Sequence, residues 1–152
     1  MNNLKKFENY LKKINISSEE YKIVNFGSNY FYNAKIEYNA ILILLDYTTY
    51  DPHELVNNEK KIKKYCERNN LVIFSDGSVP GISSFYIADK EEYTKAQDYY
   101  YFENLSKNDV HSYMHECHKN KATPSNEKIK QIMNQYESNY LLFIKETNKK
   151  GA

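Results

Sequence analysis

The 152-residue chain has no Trp, one Arg (Arg68), two Cys, three Pro and four Gly. Each shortage excludes something. Two cysteines, Cys66 and Cys117, cannot build a disulfide framework, and both occupy apolar helical positions where a reduced, buried thiol is expected. Few Gly and Pro exclude collagen-like repeats and flexible linkers. The longest apolar run, Ala40 to Leu45, is strand length. With neither a membrane span nor a signal peptide in view, a cytoplasmic location is expected. A single Arg limits bidentate clamping of phosphates or guanines. The charge balance of 21 basic against 20 acidic residues argues further against a nucleic-acid binder.

In their place stand 16 Tyr, 19 Asn and 20 Lys. All have A+T-rich codons, as does Ile, so a biased genome accounts for the excess without any functional demand.

Periodicity gives the element order α-β-β-β-α-β-β-α-(β)-α-α. Leu4, Phe7, Leu11 and Ile14 mark one helical face ending near Asn15. Strands are expected at 21–26, 30–38 (with room for a bend near Asn33) and 40–45, the first two separated by the turn signal Gly27-Ser28-Asn29. Asp51-Pro52-His53-Glu54 reads as N-cap, first helical position and capping-box acid of a helix to Arg68, which Asn69-Asn70 ends. Leu71–Phe74 is the next strand, parallel to the one before the helix. A loop at 75–81 contains the turn Asp76-Gly77, and a strand follows at 84–88. Asp89 caps a short helix, Tyr99–Phe102 reads as a strand or helix end, and Ser106 or Asn108 caps another helix to Asn120. From Thr123-Pro124 a long amphipathic helix carries Ile129, Ile132, Met133, Tyr136, Tyr140, Phe143 and Ile144 on one stripe, with a frayed tail at 147–152. The expected fold is α/β (α+β): a single domain over residues 1–152 with a mixed sheet of four to six strands.

Three constellations bear on function. His111, His115 and His118 recur at i, i+4 and i+7, a spacing at which imidazoles one turn apart can chelate a divalent metal. They suggest a metal-binding protein or metal-dependent hydrolase, although Ser112 stands where a zinc-protease helix has Glu. A half-exposed polar flank that binds nothing has the same spacing. Second, the early element order is similar to the core of restriction-endonuclease-like nucleases. Glu37 and Asp46 supply acids, but Thr48 replaces the expected Lys, which points to a degenerate member. Phe26-Gly27-Ser28 lacks the paired acids of a nucleotidyltransferase site, and no Lys-Ser/Thr follows Gly77 or Gly81 as a phosphate loop requires.

Third, charge divides along the chain. Residues 1–70 carry 11 basic and 9 acidic side chains, residues 71–120 carry 4 and 8, and residues 121–152 carry 6 and 3. The acidic third also holds Tyr93, Tyr99, Tyr100 and Tyr101 beside Asp89, Glu91, Glu92, Asp98 and Glu103. Tyr offers contact area at low entropic cost, and carboxylates steer a basic partner. The leading expectation is therefore a small protein-binding protein, without cofactor or catalytic set. An immunity or inhibitor protein that neutralises a basic nuclease-type toxin through this surface fits that description. Several of the tyrosines could equally complete the core of a chain without Trp.

Overall fold

A computed structural model describes residues 2–46, 51–75 and 82–150. The elements are α1 (Asn3–Lys13), β1 (Tyr21–Ser28), β2 (Ile36–Asp46), α2 (Pro52–Arg68), β3 (Leu71–Phe74), β4 (Ile82–Asp89), α3 (Lys90–Lys119) and α4 (Asn126–Lys150). The fold is α+β, with one four-stranded antiparallel sheet and a long C-terminal helix. Thr48, Asp76 and the expected turn at Asp76-Gly77 lie outside the described residues. The chain forms two compact units, Met1–Phe26 with Glu37–Thr94, and Gly27–Ile36 with Lys95–Ala152. No linker marks the junctions, because β1 and α3 each run through one without a break.

In the first unit, local chemistry sets the helix ends. The Asn2 side chain accepts from the backbone N–H of Lys5 to cap α1, and Asn15 leaves the helix with φ of 64°. Asp51 caps α2 through the N–H of His53, Pro52 opens the helix, and Asn70 closes its exit at φ of 58°. Asn tolerates this left-handed region better than other residues with a Cβ.

The strand order is β1-β2-β4-β3. β4 is antiparallel to both β2 and β3, with Ala40 opposite Ala88 and Val72 opposite the same residue. β2 and β3 therefore run in the same direction, as a helical crossover favours, but β4 is inserted between them and replaces the parallel pairing. One face of the sheet presents Ile41, Ile43, Leu45, Leu71 and Ile87 to Phe7 and Leu11 of α1 and to Leu55, Ile62 and Cys66 of α2. Burying each large aliphatic side chain contributes about 1.5–3 kcal/mol. The other face carries an aromatic cluster of Phe26, Tyr38, Phe74, Tyr86 and Tyr93, in which Phe74 stacks on Tyr86 at 5.2 Å.

Two expectations are corrected. The strands foreseen at 30–38 and 40–45 are one strand, β2, preceded by a non-strand segment at 29–35. Asn39 stays in strand geometry with its side chain accepting from Asn25 of β1 at 3.0 Å, so the strand continues, while the backbone of 31–34 bonds to side chains instead of to a neighbouring strand. The short helix, Tyr99–Phe102 and the helix to Asn120 are one 30-residue helix, α3. No Gly or Pro falls between Gly81 and Pro124 to break it, and Ser106 and Asn108 lie in its interior rather than at a cap. Asp89 does cap α3, accepting from the N–H of Glu92. Residues 147–150 belong to α4.

Candidate functional site

In the second unit, segment 29–35 is held by polar side chains of α3 and α4. The Tyr99 hydroxyl donates to the Ala34 carbonyl at 2.7 Å and accepts from the Phe31 N–H at 3.1 Å. Glu137 Oε2 accepts the N–H groups of Asn33 at 2.8 Å and Ala34 at 3.0 Å, and its Oε1 accepts from Asn33 Nδ2 at 3.2 Å. Ser28 donates to Glu103, which also pairs with Lys107 at 2.9 Å. The hydroxyls of Tyr30 and Ser106 share a hydrogen bond of 3.0 Å. Around these bonds pack the rings of Phe31, Tyr99 and Tyr140, with Tyr99 5.3 Å from Phe31 and 5.1 Å from Tyr140. Tyr99, Ser106, Glu103 and Glu137 are all buried. A buried carboxylate is tolerable only when its oxygens are engaged, and these are. Burial also pushes the Tyr99 hydroxyl above its ordinary range, keeping it a donor.

Tyr32 breaks this pattern. Its neighbours on both sides are tied to buried side chains, yet its own ring is 88% exposed. It borders a groove of about 650 Å³ floored by Phe31, Met133 and Glu137.

A second, smaller groove of about 210 Å³ lies between α3 and α4, walled by Tyr140, Phe143 and Ile144 with Asp98 at its side. Among the described residues Asp98 has no hydrogen bond or ion pair. Burial holds its carboxyl above the usual carboxylate range. Tyr101, three residues on and therefore on the same flank of α3, is 61% exposed. It packs edge-on against Phe102, which in turn contacts Phe143.

The expected acidic, Tyr-rich surface is thus divided. Tyr99 and Glu103 are core residues, turned inward where no partner reaches them. Tyr100 is half-buried in the same cluster. Tyr93 belongs to the aromatic cluster of the sheet, and Asp89 caps α3 and accepts from the Asn3 side chain at 2.8 Å. Glu91 and Glu92 are exposed. Of the residues singled out in the second unit, Asp98 and Tyr101 remain both accessible and close together.

His111, His115 and His118 are exposed on α3. Among the described residues no group of three or more His, Cys, Asp or Glu is placed to hold a metal ion. Glu37 and Asp46, the two acids of the nuclease-like reading, stand at opposite ends of β2. Nine residues of extended chain separate them by about 30 Å, so they cannot share a metal. No helix among the described residues is long and apolar enough to cross a membrane.

The residues that sequence reasoning missed had a signal. Glu137 sits on the same helical stripe as Met133, Tyr136, Tyr140 and Ile144, and an acid on a buried stripe requires donors from elsewhere. Glu103 and Ser106 stand in the same relation to Tyr99. In comparisons with protein-family models, curated proteins and solved structures, none matches this chain.

Proposed function

We propose that the chain is a small non-enzymatic protein-binding protein that holds a basic partner at the groove beside Asp98. The observation that carries this reading is the half-buried Asp98 carboxylate, without a hydrogen bond among the described residues, on a groove lined by the apolar Ile36, Tyr140, Phe143 and Ile144 and by the polar Lys95, Thr147 and Asn148. A Lys or Arg side chain would lay its alkyl stem against Phe143 and Ile144 and place its charge on Asp98. Exposed Tyr101 supplies the rigid aromatic contact typical of binding hot spots. Leu142, 59% exposed beside Phe143, extends the apolar surface. An immunity or inhibitor protein acting in the cytoplasm on a basic, nuclease-type toxin is the particular form of this reading that a basic partner suggests.

The test is affinity for the basic protein that the purified chain captures from its native cell. Asp98→Lys combined with Tyr101→Ala is expected to weaken binding by at least tenfold, and raised salt should slow association. Unchanged affinity in the double variant, or a partner without a basic surface, overturns the proposal.

A further inference from the structure

The groove beside Tyr32 is separate from the Asp98 groove and makes a different chemical offer. Phe31 and Met133 form an apolar floor. Tyr30 and Tyr32 bring two aromatic rings, Asn29 and Asn134 two side-chain amides, and Lys35 and Lys130 two ammonium groups. Among the described residues the side chains of Asn29, Tyr32, Lys35, Lys130 and Asn134 make no hydrogen bond or ion pair. The groove therefore gathers unengaged groups of three kinds, while the backbone beneath it is fixed at Phe31, Asn33 and Ala34. Glu137, the acid on the floor, is already committed to two backbone N–H groups and the Asn33 amide. Glu137 keeps its charge, so the two lysines outnumber it by one, and they are the charged groups of the groove still free to bond an anion. The volume suits a small molecule rather than a protein surface.

We infer that this groove is a binding site for a mononucleotide. A nucleotide has three parts, and each finds a complement here. A planar base stacks on a tyrosine ring, as bases do on aromatic platforms. Its polar edge bonds to an Asn amide, which carries both donors and an acceptor. Its phosphate meets Lys35 and Lys130 as point charges, which suits a chain with one Arg and no phosphate loop. An aromatic carboxylate would leave the amides unused, and inorganic phosphate alone would leave the rings and amides unused. Because the loop is pinned before the ligand arrives, little ordering entropy opposes binding.

The experiment is a titration of the full chain, followed by backbone amide NMR shifts, with AMP, GMP, CMP and UMP, and separately with the nucleosides and inorganic phosphate. The expected result is saturable shifts at residues 29–35 and 130–137 with at least one mononucleotide, and binding at least tenfold weaker for its nucleoside and for phosphate. Lys35→Ala, Lys130→Ala and Tyr32→Ala alter exposed side chains and should leave the spectrum folded. Each should weaken binding by about tenfold. The inference is overturned if no mononucleotide shifts these residues at 5 mM. It is equally overturned if phosphate binds as tightly as the nucleotide, or if the three variants bind as the parent does. None of these results bears on Asp98, so the two proposals succeed or fail separately.

Discussion

Glu137 on α4 accepts a hydrogen bond of 2.8 Å from the backbone N–H of Asn33, a residue 104 positions earlier. The same carboxylate takes the next N–H, that of Ala34. Replacing Glu137 with Ala leaves both amides without their partner, in a place where Ala34 is buried. The expected loss is about 2–4 kcal/mol, read as a lower urea midpoint. Glu137→Gln keeps one acceptor oxygen and should lie between the two.

Tyr99→Phe isolates a single hydroxyl. The ring and its packing on Phe31 and Tyr140 stay, while the Ala34 carbonyl and Phe31 N–H lose their shared partner. A loss of about 1–3 kcal/mol is expected, with faster hydrogen exchange at Phe31 as the specific sign.

The two thiols should separate cleanly. Cys66 is buried in the core of the first unit, and burial pushes its thiol up to about 12. Cys117 is half-buried. At pH 8 a thiol reagent should label one cysteine in the native protein and two in denaturant. Because the native pKa of Cys66 lies above its unfolded value, its contribution to stability is complete below about pH 9. It is lost as pH rises towards 12. Stability measured in urea should fall over that interval, and less steeply in Cys66→Val.

Asp98 gives a pH effect at the other end of the scale. Its native carboxyl titrates above the ordinary carboxylate range because burial disfavours the charge. Its contribution is therefore present below the unfolded pKa and disappears as pH rises through the native one. Asp98→Asn should be at least as stable as the parent at pH 7 while losing affinity for a basic partner. A variant that loses stability at pH 7 would show instead that the carboxylate supports the fold.

Much of this architecture was legible in the sequence where local chemistry decides it. Asp51-Pro52 and Asn69-Asn70 bound α2, and the stripe from Ile129 to Ile144 shows α4, because caps and periodicity are local. Segment 29–35 was not legible. Tyr30 to Tyr38 has the composition of a strand; beyond the Tyr30 N–H, which turns to the Ser28 hydroxyl, it is the distant Tyr99 and Glu137 that divert its hydrogen bonds. Tyr99–Phe102 was ambiguous for the same reason, since three tyrosines and a phenylalanine suit either element until their neighbours are known. The surface around Asp89–Glu103 was misjudged in part. Charge counted along the chain does not say which carboxylates are engaged internally, and Glu103 is tied to Ser28 and Lys107.

The distance in sequence between Asn33 and Glu137 also sets an order of events during synthesis. Strands β1 to β4 are complete once residue 89 has been made, so the first unit can assemble on a growing chain. Segment 29–35 emerges earlier, but its Asn33 and Ala34 amides must stay in water until about a hundred further residues have followed. A chain stopped before residue 137 therefore carries every residue of that loop but not the acid that holds Asn33 and Ala34, and the groove beside Tyr32 exists only in molecules translated into α4.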